Sequence, residues 1–348
     1  MAAITARLGA VRARRPGGGP RTQRAAYLYL VPAFLVMGFI TIYPLLYQVW
    51  MSFTNTELKH LNLRLGLTPD FVGLRNYQNI LTSALSIPNF DFLRLIIYNL
   101  WWAISNVAIH LVIGVGIALL LNAKGLWFRR FYRAMYIIPV VIPALIVATV
   151  WAHMFDAESG AINLLLAGAG GILGIPATVF HIDWLRQVAP PMPWLLPHPS
   201  GGPDLALPLA YYAMLITNTW LGWPLNSVVA TGALQSIPNE LYEAAEIDGA
   251  TAWQKFRNVT LAYLRPAMVP YAIYGFVVTF NLFFLAYFMS GGGPNGRTQL
   301  LVTQAYFLVN SLHLYGIGAA FAVIMFFILL AITLVTNRLT RATQTYSL

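Results

Sequence analysis

The most unusual residues of this chain lie in a short acidic stretch, LYEAAEIDGATAWQKF, at positions 241–256. Four of the chain's 11 acidic residues, at 240, 243, 246 and 248, surround a pair of alanines and a single glycine. The chain as a whole is basic, with a net charge of +10, and 58% of its residues are hydrophobic. Small residues ringed by carboxylates are suited to a close contact with another backbone, so the stretch is a candidate binding segment.

The residues of the acidic stretch predict two short helices joined by a glycine turn. Ser236 to Glu240 have the chemistry of a helix start, because proline is tolerated in the first turn and acids complement the helix dipole. Gly249 is a natural end for the first helix. Thr251 and Gln254 form the capping-box pattern, which predicts that a second helix starts there.

Three interpretations of this helix pair are open from the residues alone. A helix lying on lipid headgroups would favour Lys and Arg over acids. A DNA-binding helix-turn-helix is disfavoured because four acidic residues would repel phosphate. A contact with a cytoplasmic protein partner is the third interpretation, and we favour it without discarding the first.

The sequence has no residue constellation typical of an enzyme. There is no cysteine, which excludes thiol catalysis, disulfides and zinc–cysteine sites. The six histidines are scattered, and only His110 lies well inside an apolar stretch, where we expect a neutral imidazole bonded to a neighbouring helix. GGGPNGRT at 291–298 imitates a phosphate-binding loop, but that loop must follow a strand and open a helix. We therefore predict a non-enzyme that binds no metal and no cofactor of its own.

The elements that position the acidic stretch are predicted to be membrane-spanning helices. Only 9% of the residues are charged, whereas a soluble globular chain carries roughly 25%. A helix needs roughly 20 apolar residues to cross a bilayer. Six such stretches occur, at about 26–53, 95–121, 132–154, 207–230, 264–289 and 314–337. The predicted fold class is an all-α integral membrane protein with six spans between residues 26 and 340.

Basic residues predict the orientation of these spans. With both termini inside, 15 of the 21 Lys and Arg residues lie on cytoplasmic segments, in the sense of the positive-inside rule. Residues 1–25 and 341–348 are then cytoplasmic tails, and the acidic stretch lies in a cytoplasmic loop, 231–263. Prolines make 187–208 a stiff outer loop. No Asp or Glu lies inside a span, which disfavours an ion-coupled secondary transporter.

The segment EAAEIDGATAWQKFRNVTLAYLRP, at 243–266, resembles the EAA signature of ABC-importer permeases. The matching positions are Glu243, Ala244, Ala245, Asp248, Gly249, Ala250, Phe256, Leu261 and Pro266. Ala262 departs from the signature, in which proline is usual. Four further segments are similar to the MalF-like sugar permeases of this family: FVGLRNY (71–77), YRAMYIIPVVIPALIVATVWAHMF (132–155), NTWLGWPL (218–225) and GGGP (291–294). Two features differ, since 54–93 is too short for the large insertion of some MalF proteins and 187–208 is longer than expected.

The resemblance implies a type I importer subunit in a bacterial cytoplasmic membrane. Its partners would be a second homologous permease, an ATPase dimer that carries ATP-Mg, and an extracytoplasmic sugar-binding protein; nucleic acid is not among them. Coupling to the ATPase would involve Glu243, Ala244, Ala245, Asp248 and Gly249.

The resemblance also implies sugar contacts on the two spans that flank the cytoplasmic loop 231–263, which contains the EAA signature. The matching positions are Asn218, Leu221, Gly222, Leu225, Gly275, Val278, Thr279 and Leu282. Leu225 replaces an aromatic residue, and Gly275, Thr279 and Leu282 are less polar than is usual, so helix packing is the alternative role for each. The expected substrate is a maltose- or trehalose-like disaccharide or an oligosaccharide. Another small polar solute such as glycerol-3-phosphate is the alternative, followed by a secondary transporter or a membrane enzyme.

Overall fold

The computed structural model describes residues 20–123, 125–189, 191 and 206–340, and the regular elements in these ranges are helices. The predicted all-α fold is therefore confirmed. Most of the predicted N-terminal tail, the C-terminal tail 341–348, Lys124 and most of the proline-rich loop lie outside the described residues. The assignment of these tails and loops stays a prediction.

The helices fall into two units, of which the first ends at Met51. The α-helices are α1 (Pro20–Met37), α2 (Tyr43–Met51), α3 (Leu58–Leu61), α4 (Arg75–Leu81), α5 (Phe92–Asn122), α6 (Arg129–Tyr136), α7 (Ile138–Val141), α8 (Ala144–Met154), α9 (Ala161–Ile172), α10 (Leu209–Gln235), α11 (Asn239–Ile247), α12 (Ala252–Lys255), α13 (Leu261–Phe280), α14 (Phe283–Leu285), α15 (Leu301–Asn310) and α16 (Tyr315–Thr340). In the first unit, α1 and α2 are joined by one turn of π-helix, Gly38–Ile42. The second unit holds α3 to α16 and both candidate sites.

Several of these helices have the length and apolar composition of membrane spans. Within the described residues four qualify: Tyr27–Met51, Phe92–Asn122, Ala252–Ser290 and Tyr315–Arg338. A fifth span results if the bent pair Arg129–Val141 and Ala144–Met154 counts as one. Helix α10 has 27 residues but is less apolar, because it carries polar side chains that are buried inside the protein. The chain is thus a multi-pass membrane protein, while the count of six spans stays a prediction.

The third predicted span, 132–154, is bent and is not one continuous helix. Its two halves meet at an angle of 94°, with Ile142 and Pro143 between them. Proline disfavours the helical region for the preceding residue, and Ile142 is extended, with φ −79° and ψ 128°. The sequence IIPVVIP, at 137–143, ends on this proline and could have predicted the bend.

Helix α5 is the central element of the second unit. Helix α10 lies parallel to it, since Trp102 packs on Tyr211 at one end and Ala118 packs near Ala230 at the other. Helix α13 is antiparallel, because Ala118 lies in the same cluster as Leu264, while Asn99 Nδ2 of α5 donates to the Phe280 carbonyl, 3.2 Å away. This arrangement brings the start of α13 and the end of α10 to the same end of the unit.

Candidate functional site

The EAA segment, residues 236–256, forms the predicted helix pair at the end of the unit where α5 finishes. Helix α11 ends at Gly249, whose φ of +75° lies in the left-handed region. The Gly249 amide donates to the Glu246 carbonyl at 3.0 Å, and the Ala250 amide donates to the Ala245 carbonyl at 2.9 Å. These two bonds are the Schellman pattern that closes a helix with glycine. The predicted end at Gly249 is confirmed.

The second helix of the EAA segment begins with the predicted capping box. The Gln254 amide donates to Thr251 Oγ1 at 3.3 Å, and the Thr251 amide donates to Gln254 Oε1 at 2.7 Å. Helix α12 does not end before the membrane span. It continues through one turn of π-helix, Phe256–Thr260, directly into α13. The predicted helix start at Thr251 is confirmed. The prediction of a short helix separate from the fifth predicted span, 264–289, is not confirmed.

One face of the EAA segment is fixed to the protein. Leu241 and Tyr242 pack against the cluster that contains Ala118 and Leu264. The Tyr242 and Thr260 hydroxyls are 3.0 Å apart and share a hydrogen bond. Because this face is held, the opposite face keeps a defined orientation.

The opposite face is exposed and carries both acids and large apolar side chains. Four of the five predicted coupling residues, Glu243, Ala244, Asp248 and Gly249, are exposed, and Ala245 is half-buried. Beside them Ile247 is 87% exposed and Trp253 67% exposed. A tryptophan and an isoleucine presented on a fixed helix pair have the character of interface anchors. Sequence reasoning had not singled out these two residues.

One acidic residue of the EAA segment, Glu246, forms an ion pair with a basic residue of the same segment. Lys255 Nζ lies 2.6 Å from Glu246 Oε1, which links the two helices across the glycine turn. Such an exposed pair contributes little stability, of the order of 0–1 kcal/mol. Among the described residues, Glu240, Glu243 and Asp248 form no such pair, so the exposed face keeps a negative charge.

The predicted sugar-contact residue Asn218 is buried against α5. Its Nδ2 donates to Asn106 Oδ1 at 2.7 Å, and Asn106 Nδ2 in turn donates to the Trp102 carbonyl at 2.7 Å. In an apolar membrane span, such bonds between amide side chains hold two helices together. Asn218 is therefore part of a helix–helix contact in this structure.

His110 and the predicted contact residue Gly222 fit together at the same interface. His110 Nε2 lies 2.9 Å from the backbone carbonyl of Asn218, and since a carbonyl can only accept, Nε2 is the donor. The expectation that this imidazole bonds to a neighbouring helix is confirmed. A Cβ atom on Gly222 would lie 2.1 Å from His110 Cε1, so a side chain does not fit there. The same close approach recurs at Gly114, opposite Asn226.

The remaining predicted contact residues divide into two groups. Leu221 of α10 and Leu282, in the break between α13 and α14, pack against one buried cluster that includes Trp102 and Met214. Thr279 is buried, and a Cβ on Gly275 would touch Val107 of α5 at an ordinary 3.9 Å. The second group lies outside these contacts: Leu225 and Val278 are 44% and 46% exposed.

Sequence reasoning missed the amides that connect the helices. Asn99 Nδ2 donates to the Phe280 carbonyl, and Asn99 Oδ1 accepts from the Leu301 amide at 2.8 Å. Just after Phe280 the helix breaks at Asn281–Leu282, where Leu282 is extended. Asn99, Asn106 and His110 follow one another at spacings of seven and four, which places them on one face of α5. That spacing of polar residues in an apolar span was a usable signal.

Among the described residues, no group of three or more His, Asp or Glu side chains is placed to hold a metal ion. The amide side chains of Asn99, Asn106 and Asn218, between α5, α10 and α13, instead bond to one another and to backbone carbonyls. Chemically, the interface can hold helices together and offer hydroxyl or amide partners to a neutral ligand. The exposed EAA segment can bind a protein surface.

Comparison with known proteins identifies relatives over most of the chain. A family model described as "Binding-protein-dependent transport system inner membrane component" matches residues 110–344. The maltodextrin transport system permease protein MalC of Streptococcus pneumoniae is 31% identical over 319 residues, 89% of this chain and 67% of that protein. The galactooligosaccharides transport system permease protein GanP of Bacillus subtilis is 31% identical over 324 residues, 91% of this chain and 70% of that protein.

Solved structures show the same fold. A chain from the crystal structure of a bacterial ABC transporter involved in the import of the acidic polysaccharide alginate superposes with a TM-score of 0.65. The two chains share 18% identity, and the match covers 92% of this chain and 96% of that chain. At this level of identity the likeness concerns the fold alone.

Proposed function

Because this chain belongs to the family of binding-protein-dependent transport system inner membrane components, we propose that it is the permease subunit of an ATP-driven oligosaccharide importer. The family's members are non-catalytic membrane components of ABC transporters. The relatives described above transport maltodextrin and galactooligosaccharides. A maltodextrin-like or trehalose-like substrate, delivered by a soluble binding protein, is the proposal for this chain.

The observation that carries the coupling role is the EAA segment itself. It presents Glu243, Asp248, Ile247 and Trp253 on an exposed face whose other side is fixed by Tyr242. Apolar anchors surrounded by acids match a cleft with an apolar floor and a basic rim. We assign that cleft to an ATPase subunit, which would bind and hydrolyse ATP-Mg in place of this chain.

The remaining parts of the assembly follow from this docking. The EAA end of the second unit would face the cytoplasm of a bacterial inner membrane, with both chain termini on that side, as the basic residues favour. The binding protein would dock at the opposite end. A second homologous permease would complete the pathway, and rigid-body rocking of the two permeases would alternate access to a site between them.

For the substrate we propose contacts from the α10 and α13–α14 region. The candidates are Asn218, Leu221, Gly222, Leu225, Gly275, Thr279 and Leu282. The break at Asn281–Leu282 supports this placement, because an interrupted span frees backbone groups for a ligand. The contacts of Asn218 and Gly222 with α5 support a packing role for these two, through which they would position the pathway wall.

Sugar-stimulated ATP hydrolysis in the reconstituted complex tests the proposed function. The complex is assayed with its binding protein against maltodextrins, galactooligosaccharides, trehalose and glycerol-3-phosphate. We expect stimulation by an oligosaccharide, and no stimulation by any sugar would contradict the proposal.

A matched pair of variants tests the coupling role. Glu243→Lys places a positive charge on the exposed face and should abolish stimulated uptake while the protein still inserts in the membrane. Glu240→Lys makes the same change outside the signature, at the start of α11, and should retain most of the uptake. Equal activity of the two variants would remove Glu243 from the coupling contact.

A further inference from the structure

Three arginines lie within five positions at the start of α6, with no acidic residue near them in the sequence. Arg129 and Arg133 are one helical turn apart, and Arg130 follows Arg129. Between Asp91 and Asp156 the chain contains no Asp or Glu. Among the described residues, neither Arg130 nor Arg133 forms an ion pair. Like charges at this spacing repel one another, so an anion from outside the chain would stabilise them.

The Arg133 guanidinium has donors that lack acceptors. Its Nε and Nη2 are shielded from solvent, and within the described part of the chain neither has a hydrogen-bond partner. Arg129, one turn earlier, donates to the backbone carbonyl of Ala123. Leaving shielded donors of a charged group unsatisfied is costly. A small rearrangement around an incoming anion would give the Arg133 donors their acceptors.

Two aromatic side chains stand immediately before these arginines. Trp127 is 81% exposed, Phe128 is exposed, and the two rings meet edge to face with centroids 5.7 Å apart. Phe128 has a φ of +55°, in the left-handed region that a bulky residue rarely adopts. Such strain is concentrated at functional sites. Exposed tryptophan beside arginine is typical of the headgroup level of a membrane.

This basic–aromatic turn, residues 127–133, lies at the EAA end of the second unit. It follows directly on the end of α5, where Ala118 packs with Leu264. Tyr136, at the end of α6, packs against Trp223 of α10 with ring centroids 5.5 Å apart. The turn is therefore attached to the helix that leads into the EAA segment. In the proposed orientation it faces the cytoplasmic leaflet, whose surface is negative.

We propose that the basic–aromatic turn binds the phosphate of an anionic phospholipid. Arg129, Arg130 and Arg133 donate to the phosphate oxygens, a pairing to which the planar guanidinium fork is suited. Trp127 and Phe128 lie among the upper acyl chains. The exposed aromatics favour a lipid over an acidic protein segment, because rings at the headgroup level gain from apolar chains and polar heads together. The inference rests on the cytoplasmic orientation of the EAA end given under the proposed function, and not on the identity of the transported solute.

Brominated lipids test this site, because bromine quenches the fluorescence of a nearby tryptophan. The full chain, with the subunits that copurify with it, is placed in phosphatidylcholine nanodiscs that contain brominated phosphatidylglycerol or brominated phosphatidylcholine. The signal of Trp127 is isolated by subtracting that of Trp127→Phe. We expect half-maximal quenching at an about tenfold lower mole fraction of the anionic lipid, the scale expected for one to two effective charges at a surface.

Charge variants make the result specific. The triple variant R129Q/R130Q/R133Q should lose the preference for phosphatidylglycerol. The charge-conserving variant R129K/R130K/R133K should retain most of that preference, which would also show that the fold tolerates three substitutions here. Arg338→Gln, near the end of α16, is the matched control and should leave the preference unchanged.

Equal quenching by the two lipids, or a preference that survives in the triple glutamine variant, would overturn the inference. Occupation of the turn by an acidic partner protein would also overturn the inference. It would appear as a preference for phosphatidylglycerol that the chain shows alone but loses in the assembled complex. Glu243→Lys affects coupling and not this measurement, so failure of the proposed function and failure of the lipid site are distinguishable.

Discussion

At the α5–α10 interface, a polar side chain of one helix bonds to the other helix where a glycine leaves room for it. Gly222 leaves the space that the His110 ring fills, and that ring then donates to the Asn218 carbonyl. Gly114, one helical turn further along α5, leaves room for the side chain of Asn226, whose Nδ2 donates to the Gly222 carbonyl within α10. Glycine at these two positions therefore permits the close approach of the helices in which the His110 bond forms.

Gly222→Ala should destabilise the protein, because the new methyl group must displace a buried imidazole. Overpacking of this kind costs about 1–3 kcal/mol. Gly232→Ala in the same helix is the matched control, since its Cβ would meet nothing within 4 Å and alanine favours helix. Thermal unfolding of the two variants in detergent measures the difference, and an equal midpoint for both would contradict the packing role of Gly222.

A double-mutant cycle should reveal coupling between Asn106 and Asn218. Removal of either amide breaks the bond between the two side chains, and comparable pairs within membranes couple by about 0.6 kcal/mol, with a maximum near 1.7. The same variants separate packing from sugar binding. If Asn218 contacts sugar, N218A raises the half-saturating sugar concentration more than N106A does. Identical uptake curves would assign Asn218 to the helix contact alone.

At the scale of elements, the turn at Gly249 controls how the EAA helices are presented. Nothing lies within 4 Å of a Cβ at this position, so the cost of a side chain comes from the left-handed backbone alone. Gly249→Asn should retain uptake, because asparagine tolerates this conformation, whereas Gly249→Val should lose most of it. Uptake per inserted molecule is the measurement. Equal loss in both variants would mean that the turn surface, and not its conformation, matters.

The bend at Pro143 is the second element that can be tested by one substitution. The chain contains no cysteine, so spin labels can be placed at single introduced cysteines. A straight helix would separate positions 135 and 150 by about 22 Å, and a bend shortens that distance. Pro143→Ala should lengthen it, because the constraint on Ile142 is removed.

Pro270→Ala supplies the control for this measurement, with labels at equivalent spacing on α13. Pro270 lies inside a helix that continues past it, so the label distance there should not change. An unchanged distance in Pro143→Ala would show that packing, rather than proline, sets the bend.

Local signals were sufficient to predict the elements that depend on neighbouring residues. The Thr251–Gln254 capping box and the stop at Gly249 are of this kind, since each is decided within one or two turns of helix. The four helices that qualify as spans follow from the apolar composition of continuous segments. Asn106–Asn218 and Gly222–His110 join residues more than a hundred positions apart, and a single sequence does not report such pairings. The merged helix from Ala252 was missed because the capping box indicates where a helix starts and not how far it continues.

At the scale of the whole molecule, the proposed function assigns nucleotide binding to the ATPase subunit and not to this chain. The chain purified alone should neither bind nor hydrolyse ATP, while the complex that copurifies with it should do both. Nucleotide binding and phosphate release are the measurements. The GGGPNGRT segment, which is a loop after the span that ends at Ser290, makes this a sharp prediction. ATP binding by the isolated chain would contradict it.

The uninterrupted helix from Ala252 to Phe280 fixes a rotational phase between its two ends. Trp253 at the exposed end and Thr279 in the interior are held at a set angle about one axis, at about 100° per residue outside the π-helical turn Phe256–Thr260. Inserting a single residue between them would turn the exposed face by more than a quarter of a revolution, although every contact at each end remained available. Seven residues, nearly two full turns, would restore the alignment. The length of this one helix thus sets the direction in which the exposed face of the EAA segment points relative to Thr279.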